Sequence, residues 1–219
     1  MALIVKENGN GPSTPPIDPG MYQAVCVGIY DLGTQKGGDF GKGIKMQRKI
    51  YVEWEIPDER IDLEIDGKTV NVARKQRQKY TLSLNEKATL RKHLDSWRGR
   101  PFTVEELEGF DVFSILGANC YLNIIHAPAN DGSGKIYANI ASITPLMKKD
   151  VKLQPEGQTV VFSFTDGKMP GEDIPAWIGK IMADSPEYKE LASRPTGNSV
   201  QNVRDVSPTD SADTDDVPF

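Results

Sequence analysis

The sequence predicts a mainly β protein, built as a five-stranded barrel with one helix between the third and fourth strands. Apolar and polar residues alternate along several segments up to Thr144, which is the period of a half-buried strand. The period changes to that of a helix at Leu90, Leu94 and Trp97, which are spaced i, i+4 and i+7. From Ser193 onward apolar residues recur at neither period, and Asp, Ser, Thr and Pro dominate, which predicts a disordered acidic tail.

Three strands and one hairpin account for the first half of the predicted barrel. β-branched and aromatic residues are frequent in each of them. Along the second strand, which is the longest, Lys49 and Tyr51 share the face opposite Ile50 and Trp54. Asp66-Gly67 has the sequence of a tight hairpin turn. We expect strands at Met21–Leu32, Ile44–Ile56 and Arg74–Leu84, and a hairpin formed by Ile61–Ile65 and Thr69–Val72.

The helix follows the third strand and has recognisable ends. Ser83 with Glu86 three residues later matches a capping box, and Asn85 is an alternative cap. Gly99 and then Pro101 end the helix. A polar loop then joins two further strands, at Asn119–Ala127 and Lys135–Thr144.

A helix between the third and fourth strands of a five-stranded set is the layout of the OB barrel. A generic α+β sandwich shares this order, but the position of the helix and the long second strand favour the OB barrel. Beyond it we expect a strand at Thr159–Thr165, a helix at Ile174–Met182, and a helical turn that Ser185 caps with Pro186 in its first position. The chain is therefore divided into a flexible N-terminal arm at 1–19, an OB-fold domain at 20–147, a small α/β appendage packed on the barrel at 148–192, and the disordered acidic tail at 193–219.

Composition argues against several classes of protein. Hydrophobic residues make up 38% of the 219 and charged residues 26%, which is typical of a globular chain. No apolar run approaches the ~18 residues that span a bilayer, and the N-terminus lacks the features of a secretory signal. We therefore expect a cytoplasmic protein without a membrane partner. Cys26 and Cys120 are expected as buried thiols, and with the distant His93 and His126 they offer no metal-ligand spacing.

Motifs for catalysis are also missing from the sequence. It contains no phosphate-binding GxxxxGK[ST] loop, no paired His on a helix, and no nucleophile beside a candidate base. Glu53 and Glu55 alternate along a strand, whereas a nuclease needs carboxylates that converge on a metal. We therefore expect neither an enzyme nor a small-molecule substrate, cofactor or metal.

The net charge of −5 is distributed unevenly along the chain. Residues 195–219 contain five Asp and one Arg, a net −4, which leaves −1 for the remainder. Within that near-neutral remainder, Gly41–Val52 and Arg74–Lys79 are basic and contain no acidic residue. The acidic tail is therefore expected to compete with nucleic acid for these basic segments.

Both basic segments fall on the second and third strands, which form the nucleic-acid face of an OB barrel. Cations on such a face follow the phosphates of a single strand, and exposed rings stack on its bases. Tyr51 is the first candidate for stacking and Tyr137 the second, whereas Trp54, Trp97 and Trp177 are expected in the core. The predicted DNA-binding residues are Lys42, Lys45, Arg48, Lys49, Tyr51, Arg74, Lys75, Arg77, Lys79, Tyr80, Lys135 and Tyr137.

The last residues of the chain form a second candidate site. They are acidic and end on an aromatic ring and a free carboxylate, which suits docking into a basic-rimmed apolar pocket of another protein. The predicted interaction residues are Asp213, Asp215, Asp216, Val217, Pro218 and Phe219. This ending resembles the acidic tip of bacterial single-stranded DNA-binding proteins, with Val in place of the usual Ile.

The segments Leu94–Phe102, Tyr137–Ile143 and Ile174–Trp177 carry a second resemblance. Through them, residues 20–190 resemble bacteriophage-encoded OB-fold single-stranded DNA-binding proteins. The resemblance implies a protein that coats and protects single-stranded DNA during phage replication or recombination and recruits replication proteins through its tip. It implies no role for any single residue of the groove. Two alternatives stay open, namely an OB-fold module that binds another protein and a recombination factor that anneals strands.

Overall fold

Six strands form one sheet in the computed structural model, which describes residues 15–38, 43–65, 67–129 and 132–194. They are β1 Gly20–Lys36, β2 Met46–Ile65, β3 Lys68–Thr81, β4 Asn119–Pro128, β5 Ile136–Thr144 and β6 Val160–Phe162. Five of them follow the order β3-β2-β1-β4-β5 with antiparallel neighbours, and β6 pairs in parallel with β1. The described residues are therefore mainly β, as the alternation predicts.

The second and third strands form one continuous hairpin, where the sequence predicts four shorter strands. Ile65 pairs with Lys68 across a turn in which Gly67 has a φ of 73°, a conformation that favours glycine. Pro57 does not end β2, because a register shift between Ile56 and Arg60 absorbs the irregularity. The hairpin therefore projects beyond the end of its pairing with β1, which stops at Glu55.

Helices accompany the sheet at α1 Thr89–Arg98, α2 Val104–Glu108, α3 Ala176–Met182 and α4 Pro186–Ser193. The predicted start of α1 was wrong: its N-cap is Ala88, because Asn85 instead accepts the Lys87 N–H at 3.0 Å and closes a turn upstream. The predicted end at Gly99 is confirmed, with a left-handed φ of 68°. Ser185 caps α4 as predicted, accepting the Tyr188 N–H at 3.1 Å.

The main core fills the concave side of the sheet and is closed by α1. Trp54 and Trp97 lie inside it with ring centroids 5.9 Å apart, which confirms their predicted burial. Cys26 and Cys120 are buried free thiols in the same core, and burial raises the pKa of Cys26 to about 12. All five long strands contribute to this core, so the sheet curls around one hydrophobic centre.

The sheet curls but is not a closed barrel. β3 and β5 are its outer strands, and within the described residues no backbone ladder joins them. Gln76 of β3 nevertheless donates a side-chain hydrogen bond to the Ala138 carbonyl of β5 at 2.8 Å, so the two edges approach each other. The OB barrel expected from the sequence therefore stays a prediction.

The opposite face of β1 is covered by the C-terminal segment, so β1 is buried on both sides from Ala24 to Gly33. β6 pairs with β1 at this face, and α3 and α4 pack over it. Ile178 and Met182 of α3 are fully buried there against Tyr30 and other residues of a second cluster, which is Tyr30, Leu32, Phe164, Ile174, Ile178 and Met182. The C-terminal segment therefore shares a core with the sheet.

The predicted N-terminal arm does not extend to residue 19. Ile17 is 2% exposed and belongs to the main core, and its carbonyl accepts a hydrogen bond from His126 at 2.9 Å. Burial of Ile17 therefore fixes the chain before β1 begins, although the Gly- and Pro-rich composition of this segment predicts a flexible arm. Residues 1–14 and the acidic tail from 195 onward lie outside the described residues.

Candidate nucleic-acid interface

The candidate interface lies on the outer face of the β2–β3 hairpin. Ile50, Val52 and Trp54 point into the core, so the alternate residues of β2 face outward. Opposite them on β3, Lys79 pairs with Tyr51 and Arg77 pairs with Glu53. Two strands of a single hairpin thus bring cations, an aromatic ring and a carboxylate onto one surface.

Three of these outward side chains and Trp177 of α3 form a surface that we call the stacking platform, defined as Tyr51, Arg77, Lys79 and Trp177. The rings of Tyr51 and Trp177 meet edge to face, with centroids 5.4 Å apart at 72°. The Arg77 guanidinium lies 5.2 Å from the Trp177 centroid, and the Lys79 ammonium lies 5.5 Å from the Tyr51 centroid. Two rings flanked by two cations can accept both the bases and the phosphates of a nucleic acid.

The prediction that Trp177 is a core residue was wrong. The side chain is 40% exposed, whereas its neighbour Ile178 on α3 is fully buried. The helix presents Ile178 to the second cluster, and Trp177 consequently lies at the margin, against Tyr51 and Arg77. The appendage therefore contributes the larger ring of the platform.

Glu53 reduces the positive charge of this face. Its carboxylate is 2% exposed and is held by Arg77, by Lys75 at 3.1 Å, and by the Tyr30 hydroxyl at 3.5 Å. Burial and this neighbouring carboxylate both raise the pKa of Tyr30, which stays a neutral donor. Two of the predicted phosphate contacts, Lys75 and Arg77, are therefore already paired with an acid.

Arg48 is likewise committed to a carboxylate. It makes a two-pronged contact with Asp31, with Nε–Oδ1 at 3.1 Å and Nη2–Oδ2 at 2.5 Å. The same carboxylate accepts the Phe164 N–H at 3.1 Å, and this tie connects β2 to the segment after β6. Asp31 raises the pKa of Arg48, so the guanidinium stays charged, but its role here is structural.

Two other predicted cations line a cavity of about 450 Å³. We call it the lysine cleft, because four of the residues that line it are Lys36, Lys49, Lys79 and Lys189. Lys49 and Lys79 come from the hairpin, and Lys79 also belongs to the stacking platform. No sequence pattern indicates Lys36 or Lys189, because they lie far apart in the chain and outside both basic segments.

Tyr80 cannot stack on a base, which corrects its place among the predicted contacts. Its ring is 3% exposed, and its hydroxyl lies 2.7 Å from Nδ1 of His93 on α1. Burial raises the pKa of Tyr80 and lowers that of His93, so both groups are neutral near pH 7. The pair fastens α1 to β3 inside the core.

The remaining predicted contacts belong to neither the stacking platform nor the lysine cleft. Arg74 donates to the Pro15 carbonyl, Lys45 is exposed just before β2, and Lys135 is exposed just before β5. Tyr137 on β5 is 51% exposed. Lys42 and the tip residues Asp213, Asp215, Asp216, Val217, Pro218 and Phe219 lie outside the described residues.

Across the described ranges, no group of three His, Cys, Asp or Glu residues is arranged to hold a metal ion. None of the helices described is long and apolar enough to cross a membrane.

Neither comparison with known proteins identifies a relative. No protein-family model matches the chain, and no curated protein is similar to it. The function is therefore argued from the residues themselves.

Proposed function

We propose that this protein binds single-stranded DNA through the stacking platform and coats the strand during replication or recombination. The observation that carries the proposal is the edge-to-face pair of half-buried Tyr51 and exposed Trp177, flanked by Arg77 and Lys79. Rings of this kind accept any base, because every base has a π-face, and the adjacent cations neutralise phosphates. Binding in this mode tolerates sequence variation and depends on salt.

The fold supports the same proposal. An OB fold is a partly open five-stranded barrel that binds oligonucleotides on the face of its second and third strands. The strand order, the helix between β3 and β4, and the Gln76 contact between the outer strands are consistent with that architecture. Three of the four platform residues lie on β2 and β3, the strands on which an OB fold holds its ligand, and Trp177 lies on α3.

The acidic tip is proposed as the part that recruits replication proteins. Phe219 and its carboxylate suit an apolar pocket with a basic rim, and Asp213, Asp215 and Asp216 suit its positive surroundings. In this proposal the sheet holds DNA, and the tip remains available to a second protein.

Fluorescence anisotropy with labelled single-stranded oligonucleotides and matched duplexes across a salt series tests the DNA-binding proposal. We expect tight binding to the single strand, weak binding to the duplex, and a clear salt dependence. Removing one stacked base costs about 1–3 kcal/mol, so Trp177→Ala is expected to weaken binding by roughly 5-fold to 150-fold.

Val104→Ala is a suitable control, because Val104 on α2 is 71% exposed and its truncation removes apolar surface elsewhere. Circular dichroism establishes that both variants are folded. A folded Trp177→Ala variant that binds as tightly as the wild type contradicts the role of the platform. Absence of single-strand binding by the wild type at low salt contradicts the function itself.

A further inference from the structure

The lysine cleft has a local excess of positive charge. It lies between the end of β1, the start of β2, the end of β3 and α4, and its lining residues are Thr34, Gln35, Lys36, Met46, Lys49, Lys79, Asp184 and Lys189. Four lysines thus face one aspartate. None of the ion pairs between described residues involves an ammonium of the cleft.

This absence of ion pairs distinguishes the cleft from the other basic residues of the interface. Arg48 is paired with Asp31, and Lys75 and Arg77 share Glu53, so two carboxylates compensate part of the charge of these three cations. Uncompensated ammonium groups that share one cavity repel each other, and a polyanion in the cavity relieves that repulsion. The cleft is therefore the part of the interface with the most charge left for a ligand.

The wall formed by α4 is fixed to the sheet by hydrogen bonds. The Glu187 carboxylate accepts the Thr34 N–H at 2.8 Å and the Thr34 hydroxyl at 2.6 Å. Gln35 donates to the Ile181 carbonyl at 2.9 Å, and Lys189 donates to the Asp184 carbonyl at 2.9 Å. The cleft therefore exists before any ligand arrives, and its cations need little reorganisation to bind one.

We propose that the lysine cleft binds consecutive phosphates of the strand whose bases stack on the platform. Lys79 connects the two sites, because it lines the cleft while its ammonium lies 5.5 Å from the Tyr51 ring. The inference rests on the proposed function and adds a role for the C-terminal segment, which supplies Trp177 to the bases and Lys189 to the phosphates. Residues 160–193 thus complete the binding site as well as covering β1.

The proposal is tested with the full chain carrying Lys36→Gln and Lys189→Gln. Both side chains are exposed, and neither belongs to the hydrophobic core, so the fold should tolerate the change. Each phosphate contact to a single strand contributes about 0.7 to the slope of log affinity against log salt. Loss of two contacts should therefore reduce that slope by about 1.4, and the affinity difference from the wild type should shrink about sevenfold between 50 and 200 mM salt.

Lys87→Gln with Lys92→Gln is the matched control, because both lysines are exposed at or near the start of α1 and neither lines the cleft. Quenching of tryptophan fluorescence by saturating oligonucleotide should persist in the cleft variant, since the platform is intact. An equal slope in the cleft and control variants overturns this inference and leaves the proposed function standing. Tighter DNA binding by the cleft variant overturns it too, because the cleft would then hold the acidic tail. Absence of single-strand binding by the wild type overturns both proposals.

Discussion

Glu53 provides a test in which stability and DNA binding should change in opposite directions. Its carboxylate neutralises Lys75 and Arg77 on the proposed DNA face, so it competes with phosphates for both cations. Glu53→Gln keeps the size of the side chain and removes the charge. We expect lower stability, because two cations lose their buried partner, and stronger DNA binding, because the same cations become available.

The size of each effect can be worked out from the geometry. Breaking a fully buried ion pair costs about 3–5 kcal/mol, but the side chains of Lys75 and Arg77 are 38% and 35% exposed. Screening by solvent lowers the expected loss to about 1–2 kcal/mol, which corresponds to a fall in Tm of roughly 2–8 °C. Release of two cations should steepen the salt slope of single-strand binding by up to about 1.4.

Thermal unfolding followed by circular dichroism and a salt series of anisotropy titrations measure the two effects on the same preparation. Glu64→Gln is the control, since Glu64 is exposed on the same hairpin and its substitution changes the net charge equally. Weaker DNA binding by folded Glu53→Gln than by the control would refute the argument. Glu53 would then serve to orient Arg77 over Trp177, and its competition with phosphate would be negligible.

Three further predictions concern the core. Tyr80→Phe leaves Nδ1 of buried His93 without its partner at 2.7 Å, so the free energy of unfolding in urea should fall by about 1–3 kcal/mol. Burial lowers the pKa of His93 below its usual 6.5. The contribution of His93 to the free energy of unfolding is therefore complete above pH 6.5 and declines as the pH falls below that value, by at most about 1.4 kcal/mol per pH unit. His93→Gln should flatten this part of the dependence of stability on pH. Burial also raises the pKa of Cys26 and Cys120, so neither thiol should react with a disulfide reagent at pH 8 until the protein unfolds, and fast reaction of the native protein would contradict their burial.

Much of the sheet could be predicted because strand period depends on local sequence alone. The alternation that places Ile50, Val52 and Trp54 on one face of β2 corresponds to their burial. Tyr80 shares its face of the strand with Leu82, but Leu82 is 40% exposed, so the alternation alone does not give the inward direction of Tyr80. Its assignment as a DNA contact came from the neighbouring basic residues, and burial against His93 is what overrides it.

The candidate site was harder to predict because it depends on contacts between distant segments. Trp177 and Ile178 both belong to an apolar stripe on a short helix, and only packing against the second cluster decides which of them is buried. Lys189 joins Lys36 only because Glu187 fastens α4 to Thr34. Arg77 pairs with Glu53 because of the register of the hairpin. That register depends on the turn and on the bulge between Ile56 and Arg60, and the sequence does not predict the bulge.

The lysine cleft also bears on whether the platform holds DNA or another protein. Trp177, Tyr51 and Arg77 do not separate these functions, because Trp, Tyr and Arg are the residues most enriched at the hot spots of protein interfaces. Lysine is depleted in such interfaces, since a strongly hydrated ammonium is costly to desolvate, whereas a phosphate chain needs point charges along its path. Lysines without ion pairs near the half-buried Tyr51 and the exposed Trp177 therefore favour a polyanion with stackable groups, and single-stranded nucleic acid has both properties.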